Sequence, residues 1–285
     1  MSNLLELNGV CKDFSEFSLN NISFSLPKGY IMGLVGPNGA GKTTTIQLIL
    51  NMLERDSGEI FIFGKDNIKE ERYVKQHTGI VFDTNIYTDA WTVRDTEKAV
   101  SIFYDEWEHN IFKDMIDRFN LPWNKKIKEF SRGMQMKLML ASAFSHNAKL
   151  LILDEPTSGL DPLTRSELLE ILQDYISDGE RSVLFSTHIT ADLERVADYI
   201  TFLESGHLFF TGSIDDFRGN YVMIKGKPSD LTPELEKEVF GLRNTSVGFE
   251  GIIEAKNAIK YSGCVTETAT IDDIVVGVSK QEAKI

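Results

Sequence analysis

The segment Gly36-Pro37-Asn38-Gly39-Ala40-Gly41-Lys42-Thr43 fits G-x-x-x-x-G-K-[ST], and it narrows the possible folds more than any other stretch of the chain. The pattern requires a strand before it and a helix after it. Both are predicted: Tyr30–Val35 is a short strand-forming run, and Thr44–Leu53 reads as a helix. Glycines at 36, 39 and 41 let the backbone bend around a polyphosphate, so that amide N–H groups and the positive end of the helix face the anion. Pro37, Asn38 and Ala40 complete the cradle. The motif's mechanics place Lys42 at the β- and γ-phosphates, the Thr43 hydroxyl on Mg²⁺ and Thr44 near the α-phosphate.

A second chemical signal ends a strand. Leu150-Leu151-Ile152-Leu153 is fully apolar, as a buried parallel strand should be, and it runs into Asp154-Glu155-Pro156. Ligands of α/β sheets sit at the carboxyl ends of strands. Two adjacent carboxylates beside a triphosphate would be costly without a cation and a proton-accepting role to justify them. Asp154 is therefore assigned to Mg²⁺ and Glu155 to the attacking water, as general base.

Short strand-like runs alternate with helical patterns from Tyr30 to about Phe210, with Ile80–Phe82 and Val183–Ser186 as further core strands. The segment before Tyr30 and the tail Tyr199–Thr211, with a turn at Ser205-Gly206, read as hairpin-type strands. Between about 86 and 147 the strand pattern gives way to Ile102, Phe103, Trp107, Phe112, Met115, Ile116 and Phe119 at helix-like intervals. Beyond Phe217 come a strand at Tyr221–Ile224, a turn at Gly226-Lys227-Pro228, a helix at Pro233–Phe240 and a closing helix at Ile271–Val278. The expected fold is α/β: a P-loop NTPase with a mainly parallel core sheet, an antiparallel β subdomain, an inserted helical subdomain and a small C-terminal α+β domain. The expected domains are 1–218 and 219–285.

Composition removes several classes. The 285 residues are 42% hydrophobic, enough for a sizeable core, and the formal charge of −13 argues against general affinity for nucleic acid. Cys11 and Cys264 have no metal-type spacing around them and read as reduced thiols, which points to a reducing compartment. The N-terminus lacks the basic region and apolar core of a signal peptide, and no apolar run approaches the ~20 residues that cross a bilayer. Work at a membrane would need another chain.

Phe130-Ser131-Arg132-Gly133-Met134-Gln135 lies just upstream of the apolar strand and opens a helical stretch. It resembles the Leu-Ser-Gly-Gly-Gln signature of ABC transporter ATPases: Ser131 and Gly133 match, while Phe130, Arg132 and Met134 depart. Ser131 is also a good helix N-cap. The family's order is kept throughout: phosphate loop, signature, Asp154-Glu155, Ser158-Gly159-Leu160-Asp161, then Ser186-Thr187-His188. By that resemblance Asp161 belongs to a loop at a dimer interface, although before Pro162 it can equally cap a helix. The resemblance gives His188 the sensing of the γ-phosphate and support of the attacking water. Lys12-Asp13-Phe14 resembles the loop whose aromatic ring stacks on adenine, making Phe14 the candidate. A Gln is expected after Ile80-Val81-Phe82; this chain has Asp83, a shorter, charged candidate for Mg²⁺.

The resemblance spans about residues 1–218 and is similar in detail to bacterial cassettes serving ABC-2-type exporters. It implies an ATP-hydrolysing motor subunit with ATP and Mg²⁺ as cofactors. Its partners would be a second cassette, identical or related, and a separate transmembrane permease holding it at the cytoplasmic face of the cell membrane. Two other readings stand beside it. A soluble ABC-type factor acting on ribosomes or DNA usually pairs two cassettes or carries long coiled coils, and neither is present in the sequence. A nucleotide-gated module that does not turn over is opposed by Lys42, Asp154, Glu155 and His188.

Overall fold

A computed structural model describes residues 2–282. Met1 and 283–285, the outer ends of the two expected domains, lie outside the described residues. The strands are β1 (Asn3–Asp13), β2 (Ser18–Pro27), β3 (Ile31–Val35), β4 (Ser57–Ile62), β5 (Lys65–Asp66), β6 (Thr78–Val81), β7 (Leu150–Leu153), β8 (Ser182–Thr187), β9 (Tyr199–Glu204), β10 (His207–Ser213), β11 (Tyr221–Gly226), β12 (Phe240–Asn244), β13 (Phe249–Glu254) and β14 (Val265–Thr268). The first ten form one sheet in the order β5-β4-β1-β2-β10-β9-β3-β8-β7-β6, and the last four form a second, in the order β12-β13-β11-β14.

The five strands from β9 to β6 are parallel, while β1 pairs antiparallel with β2 and β4. The parallel core and the antiparallel wing are thus as expected. One detail differs. The tail from Tyr199 does form a hairpin, but its first strand, β9, runs parallel beside β3, and β10 meets β2 at His207 opposite Asn20. The wing is therefore continuous with the core sheet.

Both faces of the parallel strands are covered, which explains their unbroken apolar sequences. Side chains alternate across the pleat. Met32, Leu34, Leu150, Ile152 and Leu184 pack with Ile46 and Ile49 of helix Lys42–Ile49. Ile31, Val35, Leu151, Leu153, Val183 and Phe185 pack on the other face with Leu138 and Met139 of helix Arg132–Phe144 and Leu168 and Leu172 of helix Pro162–Tyr175. At ~1.5–3 kcal/mol for each fully buried large apolar side chain, these layers fix the strand ends on which the site stands.

The insertion contains helices Val93–Ser101, His109–Arg118 and Arg132–Phe144. Phe112 and Ile116 are buried as their spacing suggests, but Ile102 and Phe103 are 76% and 70% exposed. The helix ends at Ser101, so these two residues leave the buried face. In the C-terminal part the helix Pro233–Glu238 stops short of Phe240, which begins β12. Helix Ile271–Glu282 packs on the second sheet, and its Ile271, Ile274 and Val278 join the same cluster as Phe202 and Phe217. The opposite face of that sheet has a small core of its own, with Ile224, Leu235, Val239, Phe249 and Ile253.

Candidate active site

Gly36–Thr43 connects β3 to helix Lys42–Ile49. Two of its glycines are required by the fold. A Cβ on Gly36 would stand 2.2 Å from the Leu203 carbonyl oxygen, and Gly41 has φ +106° with Leu19 Cδ1 2.5 Å from where its Cβ would be. Gly39 has open space where a Cβ would stand, with nothing within 4 Å, but its φ of +83° still favours glycine. Lys42 is buried. Its Nζ donates to the carbonyls of Gly36 at 2.8 Å and Pro37 at 3.2 Å and lies 3.4 Å from Glu155 Oε1.

Asp154 and Glu155 follow β7, beside the end of β8. Ser186 Oγ donates to Asp154 Oδ1 at 2.6 Å and accepts from the Glu155 backbone N–H at 2.8 Å. One hydroxyl thereby sets both acids. Glu155 has φ +47°, a backbone conformation that costs a residue with a side chain about 1–2 kcal/mol. The turn aims its carboxylate between two partners, Lys42 on Oε1 and His188 Nδ1 at 2.7 Å from Oε2. Burial pushes the Asp154 carboxyl above its usual range; hydrogen bonds from Ser186 and Thr43 oppose this, and the Asp83 and Glu155 charges add to it.

A cavity of about 600 Å³ opens in front of the loop, within the size range of small-molecule sites. Asn38, Gly39, Gly41, Lys42, Thr43, Thr44, Asp83, Glu155 and His188 line it, so most of the expected residues converge. Pro37 contributes its carbonyl to Lys42, Gly36 and Ala40 are buried behind the loop, and Asp154 lies 4% exposed beneath.

Four expected residues are not brought into this cavity. Phe14 is 44% exposed, and it is Phe17, its ring centroid 6.3 Å away, that lines the wall. Ser131 and Gly133 stand at the start of helix Arg132–Phe144, where Ser131 Oγ accepts from the Met134 N–H at 3.3 Å. Asp161 caps helix Pro162–Tyr175 by accepting from Leu163 and Thr164, and its hydrogen bonds to Thr164 hold its carboxyl below the usual range.

Sequence reasoning missed Phe17, Arg132 and Ser158 as lining residues. Phe17 offered only an aromatic ring three residues from the expected one. Arg132 stood out as a departure from the signature, and its guanidinium lies against Gly159, where a Cβ would be 3.1 Å from Nη1. Asp192 was also missed. Fully buried, it accepts from Thr157 Oγ1 at 2.6 Å and Arg165 Nε at 2.5 Å, and so ties the segment after Glu155 to the helix after His188.

Among the described residues no group of three His, Cys, Asp or Glu side chains is arranged to hold a metal by itself. Mg²⁺ commonly takes one or two carboxylates and completes its shell with phosphate oxygens and water. A buried Asp154 whose charge is disfavoured, a Thr43 hydroxyl bonded to it and Asp83 nearby fit that requirement.

The sequence profile of the ABC transporter family matches residues 19–158. The ABC transporter ATP-binding protein YtrB of Bacillus subtilis is 32% identical over 207 residues, covering 73% of this chain and 70% of its own length. The chain belongs to the ABC transporter family. A solved ATP-binding subunit of an ABC transporter superposes with a TM-score of 0.69 at 28% identity, over 75% of this chain and 92% of that one. The Nod factor export ATP-binding protein I of Burkholderia lata is 32% identical over 216 residues, covering 73% of this chain and 70% of its own length.

As an ABC ATPase the chain binds and hydrolyses ATP, and as an ATP-binding subunit it energises transport with separate membrane subunits. Among the described residues no helix is long and apolar enough to cross a membrane.

Proposed function

We propose that this chain powers export through a separate transmembrane permease, docked at the cytoplasmic face of the membrane, and that Glu155 is its general base. The observation carrying the base assignment is the pairing of Glu155 with His188 on one oxygen and Lys42 on the other, at the wall of one cavity. In-line attack of water on the γ-phosphate needs an acceptor for the water's proton, and a backbone turned to φ +47° holds the Glu155 carboxylate for that purpose. His188 orients Glu155 and the water. Lys42 and the loop N–H groups balance charge on the β- and γ-phosphates, with Thr44 near the α-phosphate. Thr43, Asp154 and Asp83 would hold Mg²⁺, which supplies neutralisation of phosphate charge. An aromatic ring at Phe14 or Phe17 would cover adenine.

The site is half of a composite. A Cβ on Gly133 would meet Thr164 Cγ2 only at 3.4 Å, ordinary contact, so the chain's own packing does not require glycine there. Glycine in a helix costs about 1 kcal/mol relative to alanine. A partner's nucleotide approaching Ser131 and Gly133 accounts for it, with Asp161 near the same interface. Two cassettes facing head to tail satisfy this arrangement by two-fold symmetry.

We divide the chain into a cassette over 1–218 and an accessory domain over 219–285. Ile86, Ile102 and Phe103, exposed on the helical insertion, suit the permease. Export is supported by the resemblance of Ser131-Arg132-Gly133-Met134 and Val81-Phe82-Asp83 to bacterial ABC-2-type exporter cassettes, and by the similarity to the Nod factor export protein of Burkholderia lata. Affinity purification of the tagged chain from membranes should recover one multi-span protein, and ATPase activity should rise in that complex and vanish without Mg²⁺. Recovery of ribosomes or DNA instead would overturn the assignment.

Asp83 has a separate expected effect. With Asp83 helping to hold Mg²⁺, its loss at ~1–1.5 kcal/mol should lower turnover about tenfold in Asp83→Ala while KM for ATP stays within about twofold. Unchanged turnover in steady-state phosphate release would refute a catalytic contribution from Asp83.

A further inference from the structure

The C-terminal helix Ile271–Glu282 reaches the residues that support the site. Its Ile271, Ile274 and Val278 are buried in one cluster with Leu193 and Val196 of helix Thr190–Val196, which begins two residues after His188. Two polar contacts accompany this packing. Thr190 Oγ1 donates to Asp272 Oδ1 at 2.9 Å, and Ser279 Oγ donates to Glu204 Oε2 at 2.7 Å. Glu204 is buried and follows Leu203, whose carbonyl is the backbone against which Gly36 is packed. The terminal helix therefore touches the segment after His188 at one end and the backing of the phosphate loop at the other.

The local structure explains why the first contact matters. Helix Thr190–Val196 has no side-chain cap of its own; the preceding Ile189 N–H is held only by Thr187 Oγ1, at 2.9 Å. Two residues, His188 and Ile189, span the gap between the end of β8 and the helix, and the His188 ring is 46% exposed. Among the described residues the hydrogen-bond partner of that ring is Glu155, at 2.7 Å. Asp192 already ties the middle of this helix to Thr157 and Arg165, and the Asp272 carboxylate adds a second hold at its first residue, two positions from His188.

We propose that Asp272 is a positioning residue for His188, so that the rate of ATP hydrolysis depends on the C-terminal domain being docked. The proposal rests on the reading of His188 as the partner of Glu155. A catalytic pair displaced by about one ångström can lose on the order of 100-fold in rate, so a contact that sets the end of the helix following His188 bears directly on turnover.

The test is steady-state ATP hydrolysis by the full chain. Asp272→Ala should lower kcat about five- to tenfold with KM for ATP within about twofold, and Thr190→Val should do the same. Because both remove one contact, the double variant should be no slower than either single. Asp272→Asn keeps an oxygen that accepts from Thr190 and should restore turnover to within about twofold of the unsubstituted chain. His188→Ala, measured alongside, should be slower still and should not be slowed further by Asp272→Ala. Unchanged turnover in His188→Ala would sink the reading of His188 itself. If His188→Ala is slow while a folded Asp272→Ala turns over normally, or slows His188→Ala further, the positioning role is overturned. Thr190→Val decides the matter by the same criteria if Asp272→Ala does not fold.

Discussion

The Glu155→Gln chain is expected to bind ATP at least as tightly as the unsubstituted chain and to release phosphate about 10²–10³-fold more slowly. The amide keeps the shape of the side chain and an oxygen for His188, so the turn at φ +47° and the cavity wall persist. What is lost is the ability to accept a proton from the attacking water. Removing one negative charge beside the phosphates should also favour the nucleotide-bound state, because like charges no longer face each other across the cavity. ATP should therefore accumulate on the protein and trap a closed pair of cassettes, visible as a dimer in size-exclusion chromatography with light scattering. Phosphate release at the ordinary rate would remove Glu155 from the role of base.

Lys42→Ala should act one step earlier, on binding. Lys42 Nζ is buried, bonded to two loop carbonyls and close to Glu155, so its stem and charge are already held in the loop before any phosphate contact is considered. Hydrogen bonds to charged groups contribute ~1.5–3 kcal/mol, which corresponds to about 10- to 150-fold weaker ATP binding by calorimetry. Hydrolysis should fall further than binding, since the same ammonium balances charge developing in the transition state. Wild-type affinity in this variant would contradict the assignment of the loop.

The parts of this site that were legible in the sequence are those with fixed spacing. Gly36–Thr43 carries its own geometry, because glycines at set positions and a following helix admit few backbone paths. Leu150–Leu153 ending in Asp154-Glu155 could be read for a similar reason: a fully apolar strand has only its end to place a charge. Residues acting through space alone were not legible. Phe17 and Phe14 differ by three positions in a loop, and only the path of that loop shows which ring lines the cavity. Ser186 was visible as part of a motif, but its bonds to both Asp154 and Glu155 depend on β7 and β8 lying side by side. Thr190 and Asp272 lie in parts of the chain with no shared pattern. The exposed Ile102 and Phe103 show the converse: helical spacing alone does not reveal where a helix ends.

Under the proposed function each site is completed by a second cassette, and two defective versions of this chain test whether a second copy supplies it. Lys42→Ala disables one half of a composite site, and Ser131→Arg should disable the other by blocking the approach of the partner's nucleotide, at a cost of about 1 kcal/mol for the lost helix cap. Each variant alone should hydrolyse ATP at background rates. Mixed in equal amounts, random pairing makes half the dimers mixed, and each mixed dimer holds one site with both defects and one with neither. Phosphate release should therefore recover to about a quarter of the unsubstituted rate, if the two sites act independently. A mixture as inactive as its two components would contradict the composite site.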